Sequence, residues 1–203
     1  MVSARLTTRG AKTRARIIAT AADLMRIRGV GATTLDDVVS ASNVSKSQLY
    51  RNFEDKPALV RAVIELVGDR TIEGERERLE KVRTFAGLRR WRDALIARNA
   101  LQDGRYGCPL GSLANEVADQ DSLARAKLND LFTAWQELFD GVLRRFQADG
   151  VLPPDVDVAQ LATGFVAAVQ GGYLLAQTAR DVAPMASAID MAIAHVQLLA
   201  RDR

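Results

Sequence analysis

The chain has 203 residues, enough for one or two domains with a real core. Hydrophobic residues make up 48% and charged residues 26%, which excludes wholesale disorder, and a single cysteine excludes an internal disulfide. The net charge of +3 hides an asymmetry: residues 1–56 carry ten Lys/Arg against five acids, and the rest carry 18 against 20. The basic end is therefore where a polyanion would be met.

Only 5% of residues are aromatic, while Ala, Leu and Arg abound, a bias toward helices. Residues 1–9 read as a flexible basic arm. No apolar core follows them, so no secretory signal is expected. No unbroken apolar run approaches the ~20 residues that cross a bilayer. With the lone cysteine, this points to a cytoplasmic protein without a membrane partner. From about Lys12 to Arg28, Ile17, Ile18, Ala21, Leu24, Met25 and Ile27 recur at helical spacing, and Gly29 and Gly31 stop the helix.

Thr33 to Leu59 then packs three helix starts into 27 residues. Thr34 precedes the apolar Leu35, Val38 and Val39, with Asp37 three residues on. Ser45 precedes Leu49 and Phe53, with Gln48 at the spacing of a reciprocal capping box. Val44 and Leu49 occupy the two positions of a hydrophobic staple. Asp55 stands before Pro57 and Leu59. Two short helices joined at Ser42-Asn43-Val44 make a helix-turn-helix. A long helix follows from Lys56 with the stripe Leu59, Val60, Val63, Ile64 and Val67. Beyond Gly68, the charged run DRTIEGERERLEKVR predicts a solvated helix held by ion pairs at three- and four-residue spacing, with Gly74 a weak point.

Further helices are expected over Phe85–Leu101, from Pro109, from Asp121 or Ser122 to about Asp149, over about 157–180 and over 184–200, with a loop at 102–107. No strand and no internal repeat is expected. The fold class is thus all-α with about nine helices. The last two are apolar or small nearly all round, through Gly164, Ala167, Ala168, Gly171, Gly172 and Ala176, then Ala188, Met191, Ala192 and Val196. Such helices need burial on more than one side. A homodimer through 157–180 and 184–200, packed as a four-helix bundle, supplies the second side.

The segment GVGATTLDDVVSASNVSKSQLYRNFEDKPALV resembles the DNA-binding domain of the TetR family of bacterial transcriptional regulators. The likeness covers roughly residues 12–68 and rests on the Thr-Thr helix start, Val-Ser-Lys, Leu-Tyr, Phe53 and Asp-Lys. Asn43 replaces the usual turn glycine and is the next-best residue for a left-handed turn. Gln48 replaces a small residue and changes what the recognition helix can read. A helical wheel with Leu49 and Phe53 inward points Ser47 and Arg51 outward, flanked by Gln48 and Tyr50. Lys46 joins them at the helix N-terminus, where base edges are reached. The resemblance implies phosphate contacts at Thr34, Tyr50, Asn52 and Lys56. By charge and position, Arg5, Arg9, Lys12 and Arg14 are candidates to reach a neighbouring groove or the backbone. The resemblance divides the chain into an arm and three-helix DNA-binding domain, residues 1–55, and a regulatory and dimerisation domain, residues 56–203, with the helix from 56 as connector.

The resemblance further implies a homodimeric repressor on double-stranded DNA with a palindromic operator, released by a small-molecule effector bound among the middle helices. Trp91, Leu95, Asn99, Leu113, Phe132, Trp135, Phe165, Gln170 and Tyr173 are the candidate lining, and their apolar majority favours a hydrophobic or amphipathic ligand. Cys108 and His195 are the only hints of chemistry. A cysteine beside Pro109 at a helix start could have a lowered thiol pKa and sense oxidants, though a buried apolar role is the plainer reading. His195 reads as an interface or core residue. No metal spacing, phosphate loop or acid pair occurs, so no cofactor and no catalytic residue is expected. The alternatives are a DNA-binding regulator controlled by a protein partner or by Cys108 oxidation, and a helical enzyme using Cys108 and His195.

Overall fold

A computed structural model describes residues 8–102, 104–105 and 107–201. Among them are nine helices and no strand: α1 Thr8–Arg28, α2 Leu35–Ser42, α3 Lys46–Asn52, α4 Lys56–Leu79, α5 Phe85–Ala100, α6 Pro109–Val117, α7 Ser122–Ala148, α8 Val158–Ala179 and α9 Ala183–Arg201. They form two compact units. The first takes the residues up to Asp69 together with Ser112–Leu128; the second takes Arg70–Gly111 and Asn129 onward. The units are not contiguous in sequence, because α4, α6 and α7 each contribute to both.

In the first unit, α1 packs on α2 and α3. Its buried face is Ile17, Ile18, Ala21 and Met25. Ile27 is exposed, because it lies two residues past Met25 and so about 200° round the helix. The helix starts at Thr8, earlier than expected. Its first two turns carry no large apolar residue, so periodicity gives no signal there. Arg9 therefore stands on helix, and Arg5 lies outside the described residues.

The short helices are set by their caps. Thr34 Oγ1 accepts from Asp37 N (3.1 Å), while Asp37 Oδ2 accepts from Thr34 N (2.9 Å). Ser45 and Gln48 repeat the arrangement at 3.2 and 2.8 Å. Each box satisfies two donors of a first turn that has no partner within the helix. Asn43 adopts the left-handed conformation (φ 52°, ψ 50°) between the two helices. Asp55 Oδ1 accepts from Ala58 N (2.7 Å) and opens α4. Leu49, Phe53 and Val38 are buried beneath.

The second unit is centred on Trp135, Phe139, Phe146 and Phe165, with Leu79, Leu88 and Leu95. Here α8 and α9 pack along their length and α5 lies on α9. Gly172 makes the α8–α9 approach possible: a Cβ there would stand 3.0 Å from Met185 Cα. By length and composition α8 and α9 could each cross a bilayer, contrary to expectation. Small residues raise their average hydropathy without an unbroken apolar run. They form a paired helical hairpin, with α9 carrying Asp190 in an ion pair to Arg92 (2.5 Å).

Candidate functional site

The α3 surface is built on Leu49 and Phe53, which turn the opposite face outward. Lys46, Ser47, Tyr50 and Arg51 are exposed; Gln48 and Asn52 are half-buried. Several are already engaged. Gln48 spends its Oε1 on the capping box, leaving Nε2 to reach outward. Asn52 Nδ2 donates one of its two N–H groups to Gln48 O (2.7 Å), so its second N–H and its oxygen remain for another partner. Arg51 Nε leans on Ser47 O at 3.4 Å, and Ser47 Oγ meets Ser45 Oγ at 3.1 Å. Lys46 Nζ pairs with Asp36 Oδ1 of α2 at 2.9 Å, and that hydrogen-bonded carboxylate raises the pKa of the ammonium group.

Around this face, Thr34 Oγ1 also donates to Asp37 Oδ2 (2.6 Å), and Asp37 is held below the ordinary carboxylate range by those Thr34 bonds. Lys56 Nζ donates to Gly31 O at 3.2 Å. Arg14 lies over the Phe53 ring, 5.0 Å from its centroid, a cation–π contact. Its guanidinium braces α1 against the end of α3. The net result is an exposed helix face with Lys46, Ser47, Tyr50 and Arg51 outermost, flanked by Lys56 and by the Thr34–Asp37 cap.

Sequence reasoning missed the support of this unit from α6 and α7. Glu116 accepts from the backbone N–H of Val30 (2.7 Å) and Gly31 (3.1 Å). Arg61 of α4 pairs with Asp121 (2.6 Å), and Lys127 pairs with Glu65. Charge at i,i+60 is invisible to any local pattern.

The effector candidates fall into two groups. Leu113 is buried in the first unit, while the other eight belong to the second. Within the second, Phe139 joins Trp91 and Phe165: it meets Trp91 edge to face (5.1 Å) and stacks on Phe165 (5.0 Å). Trp135, one turn before Phe139, is buried with its indole N–H unpartnered. Phe132 is half-buried and Leu95 fully buried. Gln170 Nε2 reaches Cys108 Sγ (3.4 Å), and Asn99 Nδ2 reaches Met185 Sδ (3.0 Å).

The surprise is Glu75. It was expected on a solvated stretch and is buried, accepting from Trp91 Nε1 (2.8 Å) and pairing with Arg78 (2.9 Å) and Arg98 (3.2 Å). Buried charge demands such partners. The overlooked signal is its spacing with Ile72 and Leu79, which puts all three on one helix face. Tyr173 is raised well above the ordinary phenol range by burial, with the negative charge of Glu75 adding to it. Cys108 is buried and its thiol is pushed up, the opposite of an activated sulfur. No group of three or more potential metal ligands occurs among the described residues.

The family description "Bacterial regulatory proteins, tetR family" matches residues 17–63, and "Tetracyclin repressor-like, C-terminal domain" matches residues 79–192. An uncharacterised helix-turn-helix-type transcriptional regulator of Mycobacterium tuberculosis is 29% identical over 186 residues, covering 85% of this chain and 88% of its own. Among solved structures, a TetR-family regulator of Cytophaga hutchinsonii superposes with a TM-score of 0.82 at 19% identity, over 98% of this chain and 100% of that one. A cysteine mutant of the TetR-family regulator CifR, complexed with a 26-base-pair operator, superposes with a TM-score of 0.76 at 20% identity over 89% and 94%. Two adjoining matches that together take in the capped helix-turn-helix and most of the second unit identify the chain: it belongs to the TetR family of bacterial DNA-binding transcriptional regulators.

Proposed function

We propose that the chain is a homodimeric repressor that grips a palindromic operator and lets go when a small amphipathic ligand binds its second unit. The observation that carries this reading is the outward face of α3, where Lys46, Ser47, Tyr50 and Arg51 stand exposed on a helix locked by its capping box. Thr34, Asn52 and Lys56 flank that face as phosphate contacts and Gln48 adds an amide donor. Residues 1–55 act as the reader and 56–203 as the regulatory part, with α4 as connector.

One helix-turn-helix covers too little DNA for specificity, and two-fold pairing completes the device. Support comes from α8 and α9, which expose Leu174, Leu175, Met191 and Leu198 on the surface of the single chain. A groove of about 470 Å³ on the same pair is lined by Gly164, Ala168, Met191 and His195. Recognition helices ~34–36 Å apart would meet successive turns of one face of the duplex.

For the effector, the aromatic group of Trp91, Phe139 and Phe165 offers an apolar wall, and the unpartnered Trp135 indole offers a donor. An effector releases DNA only by binding the DNA-incompetent state more tightly than the competent one. Selection of bound sequences from a random DNA pool tests the reading. Enrichment of a two-fold symmetric site, bound by a dimer, is the expected result. No enrichment, or binding as a monomer with undiminished affinity, would overturn it.

A further inference from the structure

An acid stands beside the recognition helix, at a first-turn position where the helix dipole accounts for its presence but not for its partner. Asp36, in the first turn of α2, meets Lys46, the first residue of α3, with Nζ 2.9 Å from one carboxylate oxygen and 3.2 Å from the other. Both side chains are about two-thirds or more exposed, at 71% and 66%. The start of α2 does not depend on this acid, because Thr34 and Asp37 close the capping box by themselves. An exposed ion pair adds little to stability. Against a polyanion, a carboxylate at the tip of the recognition helix is a cost, unless the groups it faces are base edges rather than phosphates.

The edge of one base pair fits the couple. In the major groove a G·C pair presents guanine N7 and O6 as adjacent acceptors and cytosine N4 as a donor. O6 and N4 are hydrogen-bonded to each other, so they stand apart by the ordinary N–H···O distance of ~2.9 Å. The ammonium and carboxylate of the Lys46–Asp36 pair are separated by the same 2.9 Å. The two can therefore address the pair side by side, Nζ donating to O6 and N7 while the carboxylate accepts from N4. An A·T pair interposes its N6 donor between two acceptors, and the thymine methyl crowds one of these. The ammonium then loses its second acceptor.

We propose that Asp36 and Lys46 act as one unit that reads a G·C base pair in each half-site, Asp36 being the residue that confers the discrimination. This rests on the operator-binding reading above and deepens it. Lys46 alone would bind phosphate or guanine almost indifferently. Held by Asp36, it is partly neutralised toward phosphate and oriented toward a base edge that has a donor for the acid.

The test uses the full-length chain. The wild type selects its site from a random DNA pool, and affinities are then measured for that site and for variants with each G·C pair changed to A·T. The expected wild-type result is one position per half-site where the change weakens binding by about tenfold or more. Asp36→Ala should reduce that penalty to about threefold or less while tightening binding to random DNA, because a negative charge leaves the interface. Asp36→Ala combined with Lys46→Ala should lose no further discrimination at that position than Lys46→Ala alone, as two residues reading one pair require. Unchanged base preference in Asp36→Ala at every position, whatever its overall affinity, would make Asp36 a bystander and overturn the proposal. Failure of the wild type to select any site would instead remove the operator-binding reading, and this one with it.

Discussion

Glu116 holds the backbone of Val30: its carboxylate takes the Val30 N–H at 2.7 Å and the Gly31 N–H at 3.1 Å, across 86 residues of sequence. The turn so held leads directly into Thr34 and α2, and its Gly31 carbonyl receives Lys56. A half-buried carboxylate on two converging amides is a locked joint. Glu116→Ala should destabilise the protein by about 1–3 kcal/mol, since it leaves the part-buried Val30 N–H unmet, while water can take over the exposed Gly31 N–H. Glu116→Gln keeps one acceptor oxygen and should lose less. Urea denaturation of the three proteins checks the order; equal stability of Glu116→Ala and wild type would show that water replaces the carboxylate freely. Gly29→Ala is a companion test. Its φ of +84° strains any L side chain, and the new Cβ would lie 3.0 Å from Glu116 Oε2. The steric part of the loss should vanish in the Glu116→Ala background and the conformational part persist.

The caps predict a pH dependence. Asp37 is held below its ordinary value of 3.8 chiefly by the Thr34 hydroxyl, and Asp121 below the same value chiefly by the Ala124 N–H. A carboxyl whose pKa is lower folded than unfolded stabilises the fold fully above the unfolded value. That stabilisation is lost as pH falls through the folded value. These two groups should therefore contribute a constant amount from neutrality down to about pH 4 and a declining one below it. Asp37→Asn and Asp121→Asn should each flatten the acid limb of the curve of urea midpoint against pH. Thr34→Ala removes the main partner of Asp37 as well as a cap, and should cost about 1 kcal/mol at neutral pH.

Local chemistry was legible in the sequence, and distant chemistry was not. Thr34, Asn43, Ser45 and Asp55 announce helix ends because capping depends on residues three positions away. All four serve as caps in the structure. The start of α1 was missed because Thr8 to Arg16 carries no large apolar side chain to set a phase. Glu75 was misread because a charged run hides one acid facing inward; only its register with Ile72 and Leu79 betrays it. Asp121 is legible as a cap of α7, and its carboxylate accepts from the Leu123 and Ala124 N–H groups. Its pairing with Arg61 and the hold of Glu116 on Val30 and Gly31 reach across 60 or more residues and leave no local signal. Among the candidate lining residues, Trp91 and Phe165 are bridged by Phe139, a contact between three helices that no local pattern reveals.

Cys108 offers a clear-cut prediction because its position and its environment pull in opposite directions. It stands directly before α6, where helix N–H groups favour a thiolate, and Leu110 and Gly111 N–H groups and Gln170 do lower its pKa somewhat. Burial outweighs them and pushes the thiol up. The thiolate is the reactive form, so the native protein should react with a disulfide reagent at neutral pH far more slowly than the urea-unfolded chain. Operator binding should survive mild peroxide and the Cys108→Ala substitution alike. Peroxide that weakens DNA binding by the wild type and not by Cys108→Ala would restore oxidation as the control signal.

The small residues of α8 and α9 separate two roles that the sequence ran together. Gly171 and Gly172 both read as interface positions, yet a Cβ at Gly172 would strike Met185 within the chain, whereas Gly171 and Gly164 have open space before them. Gly172 thus serves the contact between α8 and α9, while Gly164 and Gly171 have room for a larger side chain, as the proposed pairing with a second copy requires. Gly172→Leu should destabilise the monomer itself, by about 1–3 kcal/mol of overpacking. Gly164→Trp and Gly171→Trp should leave the thermal transition of a monomer nearly intact and shift sedimentation from dimer to monomer, with operator affinity falling accordingly. If both tryptophan variants sediment as dimers and bind the selected site as tightly as wild type, the pairing runs through some other surface.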